Sequence, residues 1–159
     1  MTISTAELSD ANEGRVQVVL PGLHNFGGRV RFHGPMVTLR ADGDFIKIRE
    51  LVNTPGEGRV LVVDDDGAMD HVVFGDRLAT AAAANGWSGI VIHGCTRDSA
   101  DIAGIDLGNK ALATNPRRGG QGDGGETGVE LEFLGAVFRP GEYLYSDEDG
   151  IILSPEPLP

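Results

Sequence analysis

The chain has 159 residues, long enough to bury a proper core and expected to form one domain over 1–159. Its formal net charge of −11 argues against a surface that grips a nucleic-acid backbone, and no apolar stretch reaches membrane-spanning length. One cysteine, Cys95, excludes an internal disulfide, while 40% apolar residues and 24 glycines suit a turn-rich α/β chain.

The opening M-T-I-S-T-A-E-L lacks the basic and apolar blocks of a signal peptide, so a cytoplasmic location is expected. Thr5 to Ala11 reads as a short helix. Val16 to Val19, Gly28 to Phe32 and Met36 to Leu39 read as strands separated by Gly and Pro turns. Phe45 to Val52 reads as a helix. Val60 to Val63 (V-L-V-V) is an apolar run between Gly58 and Asp64-Asp65-Asp66, which makes it a buried strand ending in an acidic turn. Helix signals begin at Asp76, an N-cap type of residue. Leu78, Ala81, Ala82 and Asn85 follow at helical spacing, and Gly86 closes the helix. Ile90, Val91 and Ile92 form the next strand, ending in Gly94. Ser99 to Ile105 reads as a short helix. Ala111 to Thr114, Val129 to Phe133, Ala136 to Phe138, Tyr143 to Ser146 and Ile151 to Ser154 read as strands. No long linker, heptad pattern or internal repeat is visible.

Asp76 and the pair Arg97-Asp98 stand twenty residues apart, and the helix, turn and strand between them close that distance. Ten helical residues span about 15 Å and five strand residues about 17 Å, so the helix can run back along the strands. In a right-handed strand–helix–strand unit, the helix N-terminus meets the end of the second strand. The amides of Gly75, Asp76, Arg77 and Leu78 are therefore expected to face the loop bearing Arg97 and Asp98. Unpaired amides at a helix start bind a carboxylate or phosphate. Arg97 offers a planar fork of donors for a carboxylate or a developing oxyanion. Asp98 is a hard oxygen ligand of the kind that holds magnesium, and Asp76 can order a water or move a proton. Together they suit a small oxoacid polarised into an enolate. The residues alone also allow a surface ion pair at Arg97 and Asp98, and a plain capping role for Asp76.

Other conspicuous segments fit plainer readings. Arg117 to Gly128 resembles a phosphate-cradling loop, but no G-K-[ST] follows, so a mobile loop near the pocket or an interface is expected. Asp64 to Gly67 and Asp147 to Gly150 lack the twelve-residue calcium-loop spacing and read as turns. His24, His33, His71 and His93 show no metal-ligand spacing. Cys95 lies near Arg97, which would lower a thiol pKa, yet a passive buried role is the simpler reading. Trp87 reads as a packing anchor.

N-F-G-G at Asn25 to Gly28, G-R-V-L-V-V-D at Gly58 to Asp64 and N-G-W-S-G-I-V-I-H-G at Asn85 to Gly94 carry a wider resemblance. So do A-T-N-P-R at Ala113 to Arg117 and P-G-E-Y-L-Y-S-D-E-D-G-I-I-L-S at Pro140 to Ser154. From about Thr5 to Pro155 the chain resembles the regulator of ribonuclease activity A (RraA-like) family. Its catalytic branch contains 4-hydroxy-4-methyl-2-oxoglutarate aldolases. That branch is marked by an Asp, twenty residues, then Arg-Asp, and Asp76, Arg97 and Asp98 complete the pattern here. The resemblance implies layered mixed sheets flanked by helices, in a swivelling β/β/α (phosphohistidine-domain-like) architecture. It implies that Gly75, Asp76, Arg77 and Leu78 contact the substrate carboxylate, and that Arg97 binds the oxoacid and steadies the enolate. Asp98 would hold Mg2+ or Mn2+, and Asp76 would orient a metal-bound water for proton transfer. It further implies a homotrimer or pair of trimers, with pockets between subunits completed by acidic residues of a neighbour. The implied reaction is aldol cleavage of a 2-oxo-dicarboxylate to pyruvate, with oxaloacetate decarboxylation through the same enolate. No lysine stands where the motif requires one, so a Schiff base has no support.

Two other activities belong to the same resemblance. Some members bind and inhibit ribonuclease E or an associated RNA helicase; these can lack the final aspartate that Asp98 supplies here. Others carry a label as demethylmenaquinone methyltransferases, but no G-x-G-x-G follows a first strand in this chain.

Overall fold

The computed structural model describes residues 4–121 and 124–159. In chain order the first elements are α1 (Thr5–Ala11), β1 (Gln17–Val18), β2 (His24–Asn25), β3 (Phe32–Arg40) and α2 (Ile46–Val52). The central elements are β4 (Val60–Val72), α3 (Asp76–Ala84), β5 (Gly89–Thr96), α4 (Ser99–Ile102) and β6 (Gly108–Ala111). The last are β7 (Ala113–Thr114), β8 (Glu126–Thr127), β9 (Leu131–Phe133), β10 (Ala136–Phe138), β11 (Tyr143–Ser146) and β12 (Ile151–Ser154). One large mixed sheet has the order β1-β12-β11-β3-β4-β5-β6-β2, with β7 beside β5 and β8 beside β3. Strands β9 and β10 form a separate antiparallel pair.

Strands β3 to β6 run parallel, and parallel neighbours need crossovers, which α2, α3 and α4 supply. Side chains alternate across a strand, so the run Val60 to Val63 feeds two cores. Leu61 and Val63 join Ile48 and Val52 of α2 and Ala79 and Ala82 of α3 in one cluster. Val60 and Val62 join Phe133, Phe138 and Leu144 in the other. The sheet is thus covered by helices on one face and by the β9–β10 pair on the other. Alanines at 79 and 82 keep α3 close to the strands. Phe32 fixes the sheet's other side: a Cβ on Gly89 would fall 2.4 Å from its ring, and one on Gly108 2.2 Å. Those two glycines face each other across β5 and β6 because the ring occupies the space of both.

Several expected elements hold as read. Helix α1 keeps its bounds, with Ser4 accepting from the Glu7 amide at 3.2 Å, and β10, β11 and β12 coincide with the expected runs. Gly86, at φ +81°, follows the α3 C-cap Asn85. Trp87 is buried and donates to Thr54 O at 3.1 Å, an anchor.

Others differ for identifiable reasons. Gly28 to Phe32 is no strand: its first amides turn to a neighbouring loop, Gly28 N–H to Ile105 O at 3.0 Å and Arg29 N–H to Leu107 O at 3.3 Å. A Cβ on Gly27 would sit 2.1 Å from Leu107 O, so N-F-G-G serves close backbone approach. Strand β3 instead runs from Phe32 through Pro35, whose missing N–H costs nothing because β4 pairs only from Met36 onward. Asp64 to Gly67 does not end its strand. Strand β4 continues to Val72, and its register against β5 slips twice, between Asp64 and Ala68 and between Ala68 and Val72. The surplus residues leave as bulges, with Asp66 and Gly67 at φ 56° and 69°. Helix α4 stops at Ile102, and the expected strand at Ala111 to Thr114 is split between β6 and β7. The run from Val129 enters its strand only at Leu131.

Asp147 ties the N-terminus to the β11–β12 turn, as the turn reading of Asp147 to Gly150 expects. Its carboxylate accepts from Thr5 N at 2.8 Å, Thr5 Oγ1 at 2.7 Å, Asp149 N at 2.9 Å and Gly150 N at 3.3 Å. Burial pushes this carboxyl up, but the four donors outweigh it and hold the pKa below the usual 3.8. A depressed folded-state value means the contribution is complete above the ordinary carboxyl range and disappears as pH falls through the folded value. Asp147→Ala is expected to cost about 2 kcal/mol at neutral pH and to lower Tm by about 5 °C. The gap between variant and parent narrows below pH 4 in thermal melts followed by circular dichroism, roughly where carboxyls protonate.

Candidate active site

The parallel strands end at one edge of the sheet, and the chain gathers its polar residues there. Gly75, at φ −153°, is the N-cap of α3, so Asp76 is the first helical residue and not the cap expected from its type. The cap lacks a side chain, and Asp98 replaces it: Asp98 Oδ2 accepts from the Asp76 amide at 3.1 Å. The amides of Arg77 and Leu78 have no acceptor among the described residues, which leaves two helix-start donors for an anion. Arg97 follows β5 directly and is anchored by its own N–H to Phe74 O at 3.2 Å. Its Nη1 reaches Pro116 O at 3.4 Å, and its Nε lies 3.9 Å from Asp98 Oδ2.

Asp98 sits in the left-handed region at φ 59°, ψ 40°. Few residues other than Gly, Asn and Asp occupy it readily. This conformation ends β5 abruptly and turns the carboxylate back toward α3, while Asp98 O accepts from Ile102 N at 2.9 Å to start α4. The six residues singled out from the sequence, Gly75, Asp76, Arg77, Leu78, Arg97 and Asp98, all line one cleft of about 540 Å³. Its floor is the buried segment Val72 to Phe74.

Residues 5–153 match the family described as RraA-like: Aldolase/RraA. The chain belongs to that family. A relative from Ectopseudomonas mendocina, provisionally named a 4-hydroxy-4-methyl-2-oxoglutarate aldolase, is 49% identical over 97% of this chain and 95% of its own. The solved RNA-processing inhibitor RraA from Thermus thermophilis matches with a TM-score of 0.95 and 36% identity, covering 100% of this chain and 96% of that one. A Geobacillus kaustophilus structure named as an S-adenosylmethionine:2-dimethylmenaquinone methyltransferase matches at 0.96 and 37%, covering 98% and 97%. The fold is therefore the RraA fold, and three activity names accompany it.

Besides the apolar floor of the cleft, the sequence reading missed Phe45, Arg49 and Arg118. Phe45 and Arg49 are one helical turn apart in F-I-K-I-R, a spacing that puts both on one face of α2. Arg118 lies in the segment expected to be a mobile loop. In its described part that segment is tied down: Val72 N donates to Arg117 O at 2.8 Å, Gly119 N to Val72 O at 2.7 Å and Gly120 N to Gly43 O at 3.0 Å. Glu126 and Thr127 pair with β3 as β8. Gly122 and Asp123 lie outside the described residues.

The donor set fits a hard divalent cation only in part. Asp98 is about one-third exposed, and only its Oδ2 is engaged. The Asp76 carboxylate makes no hydrogen bond or ion pair with a described residue, so the cleft holds two available carboxylates. Among the described residues, no three His, Cys, Asp or Glu side chains converge as ligands. Two carboxylates with water suit Mg2+, which keeps much of its hydration. His71 and His93 are occupied elsewhere. His93 Nδ1 pairs with Asp64 Oδ1 at 2.9 Å and its ring stacks on Phe133 at 4.4 Å. His71 lies between Asp65 and Asp70 at 2.9 and 2.8 Å. Burial, then the charges of Asp65 and Asp70, push the Cys95 thiol up, which reverses the lowering expected from Arg97. Cys95 is fully buried, a packing residue.

No helix among the described residues is long and apolar enough to cross a membrane.

Proposed function

We propose that the chain is a divalent-cation-dependent carbon–carbon lyase. It cleaves 4-hydroxy-4-methyl-2-oxoglutarate to pyruvate and decarboxylates oxaloacetate through the same pyruvate enolate. The observation that carries this reading is the convergence of the α3 amides, Arg97 and Asp98 on one cleft. The amides of Arg77 and Leu78 bind the carboxylate of the oxoacid end. Arg97 donates to the oxygens that gain charge as the carbon–carbon bond breaks, so its interaction is stronger in the transition state than with the neutral ketone. A magnesium or manganese ion held by Asp98, when bound, supplies Lewis-acid polarisation of the 2-oxo group. Asp76, whose carboxylate makes no hydrogen bond or ion pair with a described residue, holds or moves the proton. Among the described residues no lysine lines the cleft, so a Schiff-base mechanism has no support. The two carboxylates of this chain leave ligand positions for water and for acidic residues of a neighbouring subunit in a homotrimer or pair of trimers.

The test is pyruvate release from a panel of 2-oxo-dicarboxylates, with magnesium, with manganese and with chelator. Metal-dependent release from 4-hydroxy-4-methyl-2-oxoglutarate and oxaloacetate supports the reading; no release from any of them rejects it. A steric probe is also available. Gly75 has an extended backbone open to any residue, but a Cβ there would lie 2.8 Å from Asp98 Oδ2 and 3.3 Å from Arg97 Cγ. Gly75→Ala is expected to fold normally and to lose about 10- to 100-fold in kcat, since small displacements of positioned groups cost that much. Circular dichroism and the same pyruvate assay check both halves.

A second reading is a regulator that binds and inhibits a ribonuclease or an associated RNA helicase, favoured by the likeness to the Thermus inhibitor. It predicts co-purification with such a partner that survives Asp98→Asn. The methyltransferase name finds no counterpart in the chain, whose only G-x-G-x-G, at 120–124, does not follow a first strand as an adenosylmethionine motif does. Calorimetric binding of adenosylmethionine would reopen it.

A further inference from the structure

Arg49 and Arg118 are the two cleft residues for which the lyase reading has so far given no task. Their guanidinium carbons lie 5.8 and 5.2 Å from the ring centroid of Phe45, so one aromatic side chain carries both. Neither pairs with a carboxylate among the described residues, although the chain has 24 acidic residues against 13 basic ones. Arg29, Arg31 and Arg139 each hold one elsewhere. The cleft thus concentrates four arginines, Arg49, Arg77, Arg97 and Arg118, against two carboxylates, Asp76 and Asp98. In an acidic chain that local excess of positive charge attracts an anion brought by a ligand.

The position of Arg118 is also built into the backbone. Hydrogen bonds from Val72 N to Arg117 O and from Gly119 N to Val72 O clamp the chain on either side of it. The clamp needs glycine at 119, where a Cβ would meet Gly43 O at 2.7 Å and His71 Cδ2 at 3.0 Å. Arg49 is set by the last turn of α2, one turn beyond Phe45.

We propose that Arg49 and Arg118, mounted on Phe45, form a subsite for the remote carboxylate of the substrate, and that this subsite favours aldol cleavage over decarboxylation. The proposal rests on the lyase reading for its reaction, though not for its binding chemistry. A five-carbon 2-oxo diacid places its two carboxylate carbons about 5 Å apart when extended. With one end held at α3 and Arg97, the other is left for the guanidiniums of Arg49 and Arg118, which line the same cleft. In aldol cleavage the C3–C4 bond breaks and its electron pair goes to C3 as the enolate of one pyruvate. The C4 hydroxyl gives up its proton and becomes the ketone of the second pyruvate, and C3 takes up a proton. The remote carboxylate keeps its charge throughout, so the arginines bind it equally at every stage. In oxaloacetate the remote carboxylate is itself the leaving group. Its charge passes into the enolate as neutral CO2 departs, so a guanidinium gripping it stabilises the ground state more than the transition state. The same pair of arginines therefore assists one reaction and restrains the other.

The test combines a non-cleavable probe with the two reactions, using the full chain and Arg49→Gln, Arg118→Gln and the double variant. By calorimetry the parent should bind 2-oxoglutarate more tightly than pyruvate. In the double variant that ratio should fall about 10- to 100-fold, the value of a charge-assisted pair. With 4-hydroxy-4-methyl-2-oxoglutarate the loss should appear in KM, and the ratio of aldol cleavage to decarboxylation should fall with it. An unchanged diacid preference in the double variant overturns the subsite, as does an equal loss for both reactions. A parent that shows the preference but releases no pyruvate removes the lyase reading and leaves the diacid subsite standing.

Discussion

Asp98→Asn is expected to abolish metal-dependent pyruvate release, by about 10³-fold or more in kcat/KM, some 4 kcal/mol of transition-state stabilisation. The substitution is chosen for what it preserves. Asn has an oxygen where Asp98 Oδ2 accepts the Asp76 amide, so α3 keeps its substitute cap. It also tolerates the left-handed conformation at φ 59°, which Ala would occupy only with strain. What it loses is the negative charge, on which the hold on a divalent cation depends, while Asp76 alone remains. Melting temperature should stay within about 2 °C of the parent, because the cap bond is kept and a partly exposed position contributes little to stability. Loss of Mn2+ binding, read by electron paramagnetic resonance, should accompany the loss of turnover. Turnover within threefold of the parent and indifferent to chelator would falsify the metal-dependent reading and leave the ribonuclease-binding one.

The central unit was legible because its signals are local and agree with one another. V-L-V-V marks a strand buried on both faces, the alanine run marks a helix packed close to it, and Gly86 marks the stop. Chirality then brings Asp76, Arg97 and Asp98 to one edge, and the cleft contains all three. The failures share a different cause. Asp64-Asp65-Asp66 has turn chemistry and does turn at Asp66 and Gly67, yet pairing with β5 resumes beyond it, so composition alone cannot tell a strand end from a bulge. Gly28 to Phe32 looked extended because its backbone partners, Ile105 and Leu107, lie far along the chain. Arg118 was hidden for the same reason. Its clamp to Val72 joins segments more than forty residues apart, and a Gly-rich sequence reads as loose when its acceptors are out of view. The Asp98 carboxylate at the α3 start is a tertiary cap in place of the local one that Asp76 suggested.

Arg97→Lys is expected to lose about 10²-fold and Arg97→Ala about 10³-fold, chiefly in kcat. Lysine keeps the charge but not the planar fork, and it cannot hold both the Pro116 carbonyl and a substrate oxygen with parallel donors. If Arg97 merely bound the substrate carboxylate, both variants would raise KM and spare kcat, because uniform binding cancels between ground and transition states. If it faces the oxygens that gain charge as the enolate forms, the loss belongs to kcat. The half-buried side chain makes a further measurement available. Arg97→Ala leaves a guanidinium-sized space beside Asp98, whose carboxylate lies 3.9 Å from the missing Nε. Added guanidinium should therefore restore part of the turnover in Arg97→Ala but none in Asp98→Asn, where the charge that draws the cation in is gone. Rescue in neither variant, with KM alone raised in Arg97→Ala, would place Arg97 in binding and move the stabilisation of the enolate to another group.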